Sequence, residues 1–186
     1  MTLTCSRWET AELANSIVLV GMMGSGKTTV GRAAARRLGW EFCDSDQQVE
    51  ARAGRTVAQI WREEGEEAFR RLEKEALAAA LASATARPAV IAAAGGTVLD
   101  AANRALLRQH PPVVWLRARP ETLVDRITTG RGTHRPLLDD DPAGALRRLD
   151  AEREPCYREV ADAVIDVDRL PRQRVVDRVV ALAHAS

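Results

Sequence analysis

The apolar run Ile17-Val18-Leu19-Val20 leads directly into Gly21-Met22-Met23-Gly24-Ser25-Gly26-Lys27-Thr28, and a helical pattern follows at once. This is G-x-x-x-x-G-K-[ST] in the order strand, loop, helix, the context that makes the spacing meaningful. Gly21, Gly24 and Gly26 let the backbone turn successive N–H groups inward around phosphate oxygens. Lys27 adds a point charge at the β- and γ-phosphates, and the helix opening there adds its positive N-terminal end. The Thr28 hydroxyl is placed to ligate Mg²⁺, with Ser25 and Thr29 completing the phosphate-binding set. A chain built this way is expected to bind a nucleoside triphosphate and to belong to the α/β class.

With 186 residues the chain is expected to form a single domain, 1–186, that buries a core without disulfide or metal staples. The net charge of +1 supplies no basic field for nucleic acid or an anionic membrane, so the expected partner is a small molecule. Cys5, Cys43 and Cys156 are odd in number and show no metal-ligand spacing, which reads as reduced thiols. Arg7, Glu9 and Glu12 interrupt the N-terminus where a signal peptide would need an apolar stretch, so a cytoplasmic protein is expected. Residues 1–14 are expected to be loosely ordered.

Short apolar runs at Ile17–Val20, Pro88–Ala93, Val113–Leu116 and Ala163–Val167 alternate with helical segments, as in parallel strands crossed over by helices. Phe42 and Cys43 add a further short strand. Helices are expected at Lys27–Leu38, Asp46–Ala53, Thr56–Glu63, Glu66–Ser83, Asp100–Gln109, Pro120–Ile127, Pro142–Arg158 and Pro171–Ala183. The segment 128–135 has two glycines and two arginines but no apolar face. It reads either as a surface connection or as a lid carrying an arginine over a transferring phosphate.

Asp44-Ser45-Asp46 follows the second strand, at the sheet end where the phosphate loop also lies. One carboxylate there can hold Mg²⁺ through water while the other takes a proton from an acceptor hydroxyl. Alternatively, Asp46 caps the next helix. Arg70 and Glu73 share a helix face and could present a guanidinium fork to a ligand carboxylate, or form a surface ion pair. Gly95-Gly96 permits close backbone approach to a ligand, or makes a plain turn. Arg153 reads as an exposed helix cation until a partner is supplied.

These pieces, from about Ile17 to about Val180, resemble the shikimate kinases. The family pattern is a phosphate loop followed by G-R, then F-x-D-x-D, G-E-x-x-F-R-x-x-E, a G-G-G turn, R-P-L-L and R-x-P-x-Y. Here these stand as Gly21–Thr28 with Gly31-Arg32, Phe42–Asp46, Gly65–Glu73, Ala94–Gly96, Arg135–Leu138 and Arg153–Tyr157. The resemblance implies a three-layer P-loop kinase with a five-stranded parallel sheet in the order 2-3-1-4-5. It implies ATP as donor, Mg²⁺ on Thr28 and Asp44, and transfer to the 3-hydroxyl of shikimate on the route to aromatic amino acids. The acceptor region is then about 44–73 and the lid about 128–141.

Residue by residue, the resemblance makes Asp46 the base and hydroxyl ligand, with Lys27 handling the triphosphate and Arg135 closing on it from the lid. Arg70 and Arg153 would grip the acceptor carboxylate, Glu73 would orient Arg70, and Gly95 and Gly96 would offer backbone donors. Trp61 and Phe69 would border the acceptor ring. Arg126 would lie near the adenine, with Asp168–Pro171 on its other side. A monomer is expected.

Three positions depart from the pattern. Ala94 replaces a glycine, which is harmless only if its φ is negative. Trp61 stands where Phe is usual and could reshape the acceptor pocket. Cys156 replaces Leu and is expected to be a buried packing residue. His134 reads as a solvent-facing loop residue. Two other readings remain open: a kinase of a related carboxylated cyclitol such as quinate, and a non-catalytic nucleotide-binding homologue.

Overall fold

Apolar β-runs separated by amphipathic helices leave parallel pairing as the arrangement that buries both faces of a sheet. The computed structural model describes residues 15–129 and 141–184 and has this arrangement. In chain order the elements are β1 (Ser16–Val20), α1 (Lys27–Leu38), β2 (Glu41–Asp44), α2 (Ser45–Ala53), α3 (Val57–Ala84), β3 (Ala89–Ala92), a 3-10 turn (Thr97–Leu99), α4 (Ala101–Leu107), β4 (Val113–Arg117), α5 (Pro120–Thr129), α6 (Pro142–Val160), β5 (Ala163–Asp166) and α7 (Arg172–Leu182). The five strands form one sheet in the order β2-β3-β1-β4-β5, all pairs parallel and the sheet flanked by helices.

The most apolar strands are innermost. Every residue of β1 and β3 is buried, whereas the edge strand β5 leaves Val164 45% exposed. The register pairs Leu19 with Ala92 and with Val114, so the chain leaves β1 beside the point where it leaves β3.

Local signals set the helix ends. Asp44 caps α2 by accepting from the Asp46 N–H, Asp100 caps α4 through Ala102 and Asn103, and Thr56 forms a capping box with Gln59 at α3. The cap of α2 is therefore Asp44, which removes capping as the explanation of Asp46. Thr128 and Thr129, expected in the loop, instead close α5, where both hydroxyls bond back to carbonyls of the preceding turn. Residues 130–140 of the expected lid, with His134 and Arg135, lie outside the described residues, as do residues 1–14 with Cys5.

Two hydrophobic clusters divide the labour. The larger holds the sheet to α1, α6, α7 and the second half of α3. The smaller joins Val49 of α2 to Ile60, Phe69 and Ala76 of α3, with Trp61 packed against it, and holds these two helices together. Within α3 the helix is interrupted at Gly65, whose φ of 82° and ψ of 179° lie where only glycine is comfortable. The two expected helices are thus present, meeting at a kink at Gly65 within α3. Gly65→Ala should lower the unfolding free energy by about 1–3 kcal/mol, read from urea titrations, because the added Cβ opposes this backbone conformation and gains no packing.

Candidate active site

The phosphate loop leaves β1 at Gly21, whose φ is 139° and where a Cβ would stand 2.6 Å from the Leu116 carbonyl oxygen of β4. Only glycine allows so close a passage. Lys27 Nζ donates to the carbonyls of Gly21 at 2.7 Å and Met22 at 3.0 Å, which holds the ammonium over the loop. Thr28 Oγ1 donates to Asp44 Oδ2 at 2.7 Å. The other oxygen of Asp44 accepts from the Asp46 N–H at 3.2 Å. A hydroxyl and a carboxylate oxygen side by side are the hard donors that Mg²⁺ takes from proteins. Among the described residues no larger His/Cys/Asp/Glu cluster suited to a metal is present.

Asp46 is half-buried in the same cleft. Desolvation pushes its carboxyl up to about 6, Lys27 opposes that shift, and the neighbouring Asp44 and Glu73 add to it. At neutral pH it is mostly ionised yet holds a proton far better than an ordinary aspartate, the property a general base needs.

The opposite end of the cleft is built on buried charge. Glu73 is 2% exposed and accepts from Arg70 Nη1 at 2.9 Å, while the exposed Glu66 takes Nε and Nη2 of Arg70 at 3.3 and 3.1 Å. The Arg70 guanidinium lies 5.7 Å from the Trp61 ring and 5.6 Å from that of Phe69. It also packs on Gly96, where a Cβ would fall 1.9 Å from Nη1. Burial raises the Glu73 carboxyl, against the pull of Arg70 and then Arg153. Arg153, read from sequence as an exposed cation, is only 2% exposed, and its Nε is buried without a partner. α6 turns this residue inward, and a buried guanidinium with unused donors calls for an anion.

A single cleft of about 950 Å³ connects these ends, lined by the loop from Gly24 to Thr29, by Asp44, Asp46, Trp61 and Phe69, and by Arg70, Glu73, Gly95, Gly96 and Arg153. Arg126 also borders it, reaching the Gly24 carbonyl at 3.3 Å and the Val167 carbonyl at 3.5 Å, so it bridges the phosphate loop and the segment after β5. Leu170 and Arg172 line the same end. Every expected site residue among the described ones is brought here, Gly21 lying at the loop's base; Arg135 lies outside them.

Ala94 is harmless, since no described residue other than glycine has positive φ. Its N–H donates to Ser45 Oγ at 2.8 Å, and Ser45 is fully buried. This serine was missed in the sequence because a serine between two aspartates looks like another cap. Cys156 is half-buried and packs against the main core, less enclosed than expected. The Cys43 thiol is raised to about 11, chiefly by burial, and is no nucleophile at neutral pH.

The family model for shikimate kinase matches residues 23–183. The shikimate kinase of Symbiobacterium thermophilum is 54% identical over 163 residues, 87% of this chain and 91% of its own. Among solved structures, the shikimate kinase from Acinetobacter baumannii in complex with shikimate superposes with a TM-score of 0.84 at 38% identity, covering 92% of this chain and 93% of that one. A gluconokinase from Sinorhizobium meliloti, at 24% identity and a TM-score of 0.56, shares the fold.

The raised Asp46 pKa makes a stability prediction. A carboxyl near 6 in the folded state and 3.8 in the reference state binds its proton more tightly when folded, so stability is lost as pH rises from about 4 to about 6. Asp46→Asn escapes this loss. The unfolding free energy of the variant relative to wild type should climb across that pH range by about 3 kcal/mol and then level off, as measured by denaturant titration at successive pH values.

Proposed function

The chain belongs to the shikimate kinase family, and we propose that it transfers the γ-phosphoryl group of ATP to the 3-hydroxyl of shikimate, giving shikimate 3-phosphate and ADP. The observation that supports this most directly is the single cleft joining a phosphate loop to a pair of arginines, the half-buried Arg70 and the buried Arg153, with Asp46 between them. A triphosphate suits the first end, a carboxylate the second, and a hydroxyl in between meets a carboxylate ready to take its proton.

In this reading the loop N–H groups and Lys27 hold the β- and γ-phosphates, and Arg126 with the segment around Leu170 holds the base. Thr28 and Asp44 are the residues that would hold Mg²⁺, which when bound neutralises phosphate charge. Arg70, kept in place by Glu73, and Arg153 fix the acceptor through its carboxylate. Gly95 and Gly96 N–H groups and Asp46 fix the hydroxyls. Asp46 accepts the hydroxyl proton as the oxygen attacks phosphorus in line and the bond to the leaving ADP oxygen lengthens. Most of the rate then comes from positioning and charge complementarity. Arg135 is assigned to the γ-phosphate from the segment between α5 and α6. The described residues of one chain line the cleft without a partner, which supports a monomer as the active species. The reading carries a cytoplasmic location with it.

Two arginines at the acceptor end favour an acid over a neutral sugar, and the Trp61 ring beside Arg70 makes quinate the alternative to test. A coupled assay of ADP release should show turnover with shikimate well above that with quinate or gluconate; turnover confined to quinate would replace the acceptor assignment. Asp46→Asn should bind ATP normally and lose about 10²–10⁴ in kcat. Because the base must be ionised, wild-type kcat/KM for shikimate should fall as pH drops through about 6. Arg153→Lys should raise KM for shikimate by tenfold or more, less than the roughly 2–5 kcal/mol of truncating a buried charge pair because a charge is retained, and leave KM for ATP nearly unchanged.

A further inference from the structure

The backbone that follows β3 leaves the sheet ladder at Ala93, whose N–H donates to the Leu19 carbonyl at 3.0 Å. Beyond it, each polar group needs another partner. The Ala94 carbonyl accepts from the Thr97 N–H at 3.1 Å and the Gly96 carbonyl from the Leu99 N–H at 3.0 Å. The carbonyl between them, that of Gly95, is held from a distant helix: Tyr157 Oη of α6 donates to it at 2.6 Å. Tyr157 is fully buried, its ring stacks on Trp115 with centroids 5.7 Å apart, and its oxygen also accepts from Arg153.

In a trans peptide the C=O of one residue and the N–H of the next point in opposite directions. The Gly95–Gly96 peptide joins two residues without side chains, so its plane rotates more freely than any other in the turn. Resting on the reading of this cleft as the shikimate site, we propose that the Tyr157 hydroxyl is a positioning group that sets the plane of the Gly95–Gly96 peptide and thereby aims the Gly96 N–H at the acceptor. Tyr157 touches no substrate. It acts through the carbonyl it holds, and its bond to Arg153 ties that peptide to the arginine gripping the acceptor carboxylate. The R-x-P-x-Y spacing thus places a direct acceptor ligand and the anchor of a second one a helical turn apart on α6.

The test is Tyr157→Phe in the full chain, with Trp115→Phe as a control that disturbs the ring packing and keeps the hydroxyl. Tyr157→Phe should raise KM for shikimate about tenfold, equivalent to about 1.4 kcal/mol, with KM for ATP within about twofold of wild type. Trp115→Phe should leave the acceptor KM near wild type. An unchanged acceptor KM in folded Tyr157→Phe, or an equal rise in both variants, overturns the proposal.

A second measurement needs no substitution. Tyr157 is the chain's one tyrosine, so incorporating 3-fluorotyrosine labels it alone. Its ¹⁹F resonance should shift on saturation with shikimate in the absence of nucleotide, and an unmoved resonance overturns the proposal. Wild-type turnover with shikimate is measured alongside. If wild type does not phosphorylate shikimate, the functional reading fails; if it does and the two readouts stay flat, only the role of Tyr157 fails.

Discussion

The parallel ladder between β1 and β3 brings two loops out of the sheet side by side. The pairing of Leu19 with Ala92, extended by the bond from Ala93 to the Leu19 carbonyl, means that the phosphate loop after Val20 and the glycine turn after Ala93 share one edge. β2, paired to the far side of β3, ends at the same level and delivers Asp44 and Asp46. The phosphate loop, the two aspartates and the glycine turn thus converge because three neighbouring parallel strands stop together, which is why ligands of open α/β sheets sit at the carboxyl ends of the strands.

Charge is then arranged within that geometry against the preference for water. Glu73 and Arg153 are almost fully buried and survive by facing each other and Arg70. Breaking such a group is far more damaging than its presence is stabilising, since it leaves an uncompensated charge in a poorly solvated place. The Trp61 and Phe69 rings pack against the Arg70 guanidinium, which stays partly open to the cleft. Asp46 shows the opposite trade. Its desolvation weakens the fold above pH 6 and gives the carboxylate the basicity that proton removal requires.

Much of this was legible along the chain because it depends on neighbours a few residues apart. Phosphate binding follows from the glycine and lysine spacing between Gly21 and Thr28, the strands from apolar runs four or five residues long, and the break in α3 from Gly65. Helix caps are equally local, although the cap of α2 is Asp44 and not the Asp46 offered by the sequence, because the backbone at Asp44 is still extended.

Local pattern was therefore enough for the fold class, the phosphate loop and many of the residues that line one cleft. Tertiary structure decided how those residues behave. Ser45 meets Ala94 across 49 residues and Tyr157 meets Gly95 across 62, separations at which no local pattern constrains the contact. Arg153 changes from an exposed cation to a buried one only when α6 packs against the strands, and Asp46 acquires its basicity from the desolvation that folding imposes, helped by Asp44 and Glu73 and opposed by Lys27. Burial and electrostatic field are sums over neighbours in space, and those neighbours exist only once the sheet has brought distant segments together.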